Sequence, residues 1–162
     1  MGVIELRVDN RLIHGQVTLA WVGYLGVDRL VVANDEVAVD EFQRMLLPQS
    51  ARGVPTAVLG IRDAVEFCRD PLRGEERVMV IARQAEDAFR LVLEGLPAAA
   101  VNVGNAAPEP GTDFVMVTRS VAVTREQAAG YRELAQKVEV VSQLMPTDKR
   151  TDFIGLLDKK SL

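Results

Sequence analysis

His14 is the only histidine in the sequence. It stands in the run Asp9-Asn10-Arg11-Leu12-Ile13-His14-Gly15-Gln16, whose residue types suit the handling of an anion. A neutral imidazole keeps one unprotonated nitrogen and is a competent nucleophile near neutral pH. Arg11, three residues earlier, offers a planar fork of donors that fits phosphate oxygens. Gly15 removes a side chain where backbone and anion would approach. Where such a run joins a strand to a helix, the helix N-terminus adds unpaired N–H groups and a partial positive charge. The second ring nitrogen needs an acceptor to fix the tautomer, and Asp9 and a backbone carbonyl are the two candidates. The pattern points to a histidine that takes up a phosphoryl group and gives it away. A histidine that only packs or faces solvent is the plainer alternative, and the adjacent arginine favours the chemical one.

Other chemistries fit less well. The run matches no Walker A loop and no G-x-G-x-x-G fingerprint. One histidine and one cysteine cannot supply the usual zinc ligand set. No G-x-S-x-G element is present.

The loop must be placed by its neighbours. Residues 3–8 alternate, with Ile4, Leu6 and Val8 expected on one face. Residues 30–33, 78–82 and 98–103 are continuous apolar runs, and 56–59 is a weaker one. Runs apolar on both faces suit parallel strands covered by helices. Between them lie helical patterns. Val17, Ala20, Trp21 and Tyr24 form one stripe. Asn34 is expected to cap a helix that runs from Asp35 to about Leu47, ahead of Pro48. Asp35 and Glu36 in its first turn would complement the helix dipole. Further helices are expected over 61–69, 84–94, 124–136 and 152–159, the third opened by a capping box of Thr124 and Gln127. Residues 114–123 and 138–143 should supply late strands, and 104–111 a surface loop. This alternation predicts a single domain over 1–162, a three-layer α/β/α architecture with a mostly parallel central sheet. In such sheets ligands gather beyond the carboxyl ends of the strands, and the His14 loop is the first of those.

Composition agrees with a globular chain. Hydrophobic residues make up 48% of the 162 and charged residues 26%, enough for a core and a wettable surface. The net charge of −4 argues against a nucleic-acid or anionic-membrane binder, which needs a basic face. Cys68 is the only cysteine, so no intrachain disulfide forms, and a reducing cytoplasmic setting is expected. Cys68 and Trp21 both sit on apolar helix stripes and read as core. The N-terminus reads as neither a signal peptide nor a lipid anchor, and no run is long enough to span a bilayer. Homo-oligomerisation is left open.

The stretch Arg7-Val8-Asp9-Asn10-Arg11-Leu12-Ile13-His14-Gly15-Gln16-Val17 closely resembles the phosphorylation-site motif R-[IV]-D-D-R-L-I-H-G-Q-V. That motif marks the enzyme IIB components of the mannose/fructose/sorbose family, part of the bacterial phosphoenolpyruvate-dependent sugar phosphotransferase system. The likeness runs end to end. Residues 31–38, Val101-Asn102-Val103-Gly104, Val121-Ala122-Val123 and Met145-Pro146-Thr147-Asp148-Lys149 also fit. The resemblance implies that His14 is phosphorylated, with Nδ1 as the carrier nitrogen. The donor would be a phosphohistidine of the IIA component. The acceptor would be a sugar bound by the membrane IIC/IID permease, on whose cytoplasmic side, at the inner membrane, the chain would dock. Arg11 would stabilise the transferring group, with Asp9, Asn10, Gly15 and Gln16 completing a phosphate-binding loop. No metal or organic cofactor is implied. A regulatory phosphoprotein of the same system, uncoupled from transport, is the alternative, and a metabolite-binding α/β domain without phosphotransfer a more distant one.

Two departures from the family pattern bear on the site. Position 10 is Asn where the family usually has Asp, and Asn105 to Gly111 replace a stretch that commonly carries a second glycine and basic residues. That loop is expected to border the site. Leu12 and Ile13, flanking the histidine, are candidates to pack into a partner. Lys149 and Arg150 are candidates to face an acidic one.

Overall fold

The computed structural model describes residues 2–162. Among the described residues seven strands form one sheet, in the spatial order Thr56–Leu59, Arg29–Ala33, Arg77–Ala82, Gly2–Asp9, Ala100–Asn105, Glu139–Ser142 and Thr151–Asp152. Strand β1 spans Gly2–Asp9, β2 Arg29–Ala33, β3 Thr56–Leu59, β4 Arg77–Ala82, β5 Ala100–Asn105, β8 Glu139–Ser142 and β9 Thr151–Asp152. All pairings are parallel except that of the two-residue edge strand β9 with β8. Helices α1 (Gly15–Leu25), α2 (Asp35–Val39) and α3 (Glu41–Ser50) bury Trp21, Val37 and Leu47 against one face, with Leu30, Val32, Met79 and Ile81. On the opposite face α4 (Ile61–Arg69), α5 (Ala85–Leu93), α6 (Arg125–Leu134) and α7 (Phe153–Lys159) pack with Val31, Ala33, Val78, Val80 and Ala82. Alternate residues of β2 and β4 thus feed two cores, which is why both strands read as unbroken apolar runs. The expected three-layer α/β/α fold is the observed one.

Several boundaries differ from expectation, each for a local reason. The helix expected from Asp35 to Leu47 is two helices. Asp40 adopts an extended conformation, and its Oδ1 accepts from the amides of Phe42 (3.0 Å) and Gln43 (3.1 Å), starting α3 afresh. Pro48 then falls in the last turn of α3, where it forfeits little, and the helix runs on to Ser50. The late strands expected over residues 114–123 pair with each other as an antiparallel hairpin, β6 (Phe114–Thr118) and β7 (Val121–Thr124), outside the main sheet. The turn between them is tied by the amide of Ser120 donating to Thr118 Oγ1. In β1 a bulge between Val3 and Glu5 shifts the register, so Val3 rather than Ile4 joins Leu6 and Val8 in the core. Tyr24 is exposed and meets Trp21 in a T-shaped contact, with ring centroids 5.9 Å apart.

Candidate functional site

Strand β1 ends at Asp9 and α1 begins at Gly15, so the His14 run is the strand-to-helix loop the sequence implies. Its shape comes from a tight turn. The amide of Leu12 donates to the carbonyl of Asp9 (3.0 Å), with Leu12 in the left-handed region at φ 60°. A non-glycine residue bears a cost of about 1 kcal/mol there. The packing of Leu12 and Ile13, each 5% exposed, into the core beside Trp21 and Ile81 offsets it. The two residues therefore anchor the loop instead of facing a partner.

His14 is the N-cap of α1 and is half-buried. Its amide donates to Thr18 Oγ1 (3.1 Å), and its Nδ1 lies 3.1 Å from the carbonyl oxygen of Leu12. A carbonyl only accepts, so in the neutral ring the proton sits on Nδ1 and the lone pair on Nε2. The backbone carbonyl, not Asp9, orients the ring. Nε2 is buried and has no hydrogen-bond partner among the described residues. Using Nδ1 as carrier requires the ring to leave Leu12, and using Nε2 requires it to swing outward; either way the ring moves.

Asp9 is 1% exposed and spends its carboxylate on arginines. Oδ1 accepts from the amide of Arg11 and from its Nε, both at 3.1 Å, and Oδ2 from its Nη2 at 3.2 Å. Asp9 is thus the holder of Arg11 and not the phosphate ligand expected of it, because a carboxylate so engaged has no proton to offer an anion. Arg11 itself is 38% exposed, at the rim. Asn10 is engaged by the end of β5 and the segment after it. Its Oδ1 accepts from Asn105 Nδ2 (2.5 Å) and from the amide of Ala107 (3.1 Å), which ties the 104–111 segment to the loop as expected of a bordering element. Gly15 and Gln16 are exposed in the first turn of α1. Gly15 has φ 39° with open space where a Cβ would be, so its requirement is conformational. Helix α1 has no side-chain cap and no acidic residue in its first turn, so its leading amides meet no counter-charge.

Other nominated residues have structural partners. Asp35 accepts from the amide of Ile61 (2.8 Å) and from Arg90 (2.6 Å), and these bonds hold its carboxyl below the usual range. Glu36 pairs with Arg83, and Arg150 with Glu139. Trp21 is core, yet its Nε1 donates to the carbonyl of Leu144 (2.9 Å).

Sequence reasoning missed the chemistry of Arg7. Its side chain is 2% exposed, with Nη1 donating to Gln143 O (2.9 Å) and Nη2 to Leu144 O (3.0 Å). Nε lies 3.5 Å from Asp9 Oδ2, and the guanidinium stands 5.3 Å from the Trp21 ring centroid. Burial lowers the pKa of Arg7, and Asp9 and Glu5 oppose that. The available signal was the period-two series Glu5, Arg7, Asp9 on a strand flanked on both sides.

The family model for the PTS system sorbose subfamily IIB component matches residues 3–162. A probable phosphotransferase enzyme IIB component of Streptococcus pyogenes is 31% identical over 96% of this chain and 99% of its own length. The mannose-specific EIIAB component of Escherichia coli K12 is 33% identical over 94% of this chain, which spans 47% of that protein. The crystal structure of the IIBSor domain of the sorbose permease from Klebsiella pneumoniae superposes with a TM-score of 0.91, at 28% identity over 98% of both chains. With the matched model covering nearly the whole sequence and the folds coinciding, the chain belongs to the mannose/fructose/sorbose family of phosphotransferase-system IIB components.

Proposed function

We propose that the chain is a phosphocarrier that accepts a phosphoryl group on His14 from a phosphohistidine of a IIA component. It passes the group to a sugar held by a membrane IIC/IID permease, working from the cytoplasmic face. The observation that carries this reading is the imidazole at the β1–α1 junction, set in one short loop with the Arg11 fork and the uncapped amides of α1. On uptake, the ring nitrogen's lone pair attacks phosphorus as the donor's N–P bond breaks, and the proton stays on the other ring nitrogen. Such a transfer needs in-line placement and charge neutralisation, and little else from the protein. One arginine plus helix amides is a moderate cradle, which suits a group that must leave again.

The relatives support the partners named. Curated relatives include sorbose-specific EIIB components and an EIIAB component, whose name joins an A part to the B part. Among the described residues no helix is long and apolar enough to cross a membrane, so a membrane-bound acceptor would be a separate chain or segment.

The test is incubation with phosphoenolpyruvate, enzyme I, HPr and the cognate IIA, read by intact mass. The wild-type chain should gain one acid-labile phosphoryl group and His14→Ala none. Uptake by the alanine variant at the wild-type rate would refute the reading. Delivery of the label to sugar in vesicles containing the permease separates a transport carrier from a regulatory phosphoprotein, which would take up phosphate and deliver none.

A further inference from the structure

We propose that Arg7 is a positioning residue for Arg11: acting through their shared partner Asp9, it fixes from beneath the loop the direction in which the Arg11 fork is presented, and Gly104 supplies the space that lets it do so. The inference rests on the reading of His14 and Arg11 as the transfer pair.

The geometry forms a chain. The segment after β8 offers two carbonyls, Gln143 O and Leu144 O, to the two terminal nitrogens of Arg7. Trp21 of α1 fixes the second of these carbonyls with its own N–H and closes over the guanidinium. The remaining Nε of Arg7 faces Asp9 Oδ2. Asp9 in turn holds both the backbone and the fork of Arg11. A tie that served only to fasten the 143–150 segment to the sheet would need the two carbonyl bonds alone. Turning Nε to the carboxylate adds a constraint on Asp9, whose carboxylate among the described residues otherwise hydrogen-bonds to Arg11. Without Arg7 the carboxylate would have one cationic partner, an exposed side chain free to sample other rotamers, and the fork would lose its fixed direction. A lysine cannot replace Arg7, because one ammonium cannot bridge two carbonyls and a carboxylate in this planar arrangement.

Gly104 gives an independent handle. It lies on β5 beside β1, and a Cβ there would stand 2.2 Å from Arg7 Cζ. Even one methyl group must displace the guanidinium, without altering any charge or any atom of the loop.

Two measurements on the full chain decide the matter. The first follows the Arg11 Nε–H signal in the unphosphorylated protein by 15N relaxation. It should be rigid in the wild type and mobile in both Gly104→Ala and Arg7→Lys. The second is the rate of phosphoryl uptake from phosphorylated IIA. Gly104→Ala should slow uptake about tenfold at saturating donor. In an Arg11→Lys background the same substitution should change the rate by roughly twofold at most, because the residue it acts through is already gone. A purely structural Arg7 would lower Tm but leave Arg11 rigid, or would slow both backgrounds equally; either result overturns the proposal, as does a wild-type Arg11 already mobile. Should Gly104→Ala fail to fold, Arg7→Lys carries both measurements. Normal phosphoryl uptake by His14→Ala would instead sink the reading of the site, while the relaxation data still judge the Arg7–Asp9–Arg11 linkage.

Discussion

At the scale of single residues, the loop separates chemistry from support by burial. Leu12 and Ile13 are sunk in the core, Asp9 is covered, and Arg11 and His14 remain within reach of solvent. Arg11→Ala strips two side-chain hydrogen bonds from the buried Asp9 carboxylate and should lower stability by about 1–3 kcal/mol while the chain still folds. It should slow uptake from phosphorylated IIA about 100-fold, as loss of a donor to developing charge does elsewhere. An unchanged rate in rapid-quench assays would remove Arg11 from the mechanism. Asn10 leads to a second expectation. Its side-chain oxygen accepts two hydrogen bonds that a carboxylate would accept equally well, so Asn10→Asp should fold normally and add one negative charge at the rim. The phosphorylated form should then hydrolyse faster; an identical half-life would show that position 10 has no electrostatic hold on the site. His14 and Arg11 were legible because a unique histidine and a nearby arginine are visible without a fold. The partner of each was not. Asp9 and the Leu12 carbonyl compete for the ring on equal terms in sequence, and only the left-handed turn at Leu12 aims the carbonyl at it.

At the scale of elements, strand β1 carries two kinds of information. One face, Leu6 and Val8, is ordinary core, and the other, Glu5, Arg7 and Asp9, is a buried ladder of charge. The apolar alternation was readable, whereas the buried state of the polar face depends on the 143–150 segment closing over it, a contact about 136 residues away in sequence. Helix starts were legible wherever a cap was local, as in the Thr124 and Gln127 capping box, which forms as expected. The break at Asp40 carried an equally good cap signal, but the apolar run on both sides of it masked the restart. Glu5 makes the ladder measurable. Burial pushes its carboxyl above the ordinary range, against the pull of Asn102, Arg7 and Arg150. Between the unfolded and the raised folded pKa the native state binds more protons, so this group's contribution to stability falls as pH rises through that window. Glu5→Gln abolishes the effect. The stability of the variant minus that of wild type, from urea titrations at about pH 4 to 8, should climb with pH and then level off. A difference that stays flat across the range would place Glu5 in contact with water.

At the scale of the whole molecule, two cores lie on opposite faces of one sheet, and the same strands supply alternate residues to both. Such sharing predicts that neither layer can melt alone, because losing the helices on one face exposes the sheet that the other face needs. The chain carries its own reporters for this. Trp21, the only tryptophan, is 1% exposed in the core formed with α1, α2 and α3. Cys68, the only cysteine, lies on α4 in the opposite core, where burial pushes its thiol up to about 11. A thiol so placed reacts as little thiolate at pH 8 and stays shielded until its helix leaves the sheet. Pulsed labelling of Cys68 and fluorescence of Trp21, followed through one urea titration, should give the same midpoint, with far-UV circular dichroism coincident with both. A labelling midpoint at lower urea would mean that the α4 to α7 layer opens first and that residues 1–162 fold as two cooperative units. The His14 loop sits at the seam of this arrangement. It is anchored by Leu12 and Ile13 in the Trp21 core, and β1, which leads into it, lines the Cys68 core through Leu6 and Val8. A single shared transition would therefore also be the condition under which His14 keeps its place until the protein as a whole unfolds.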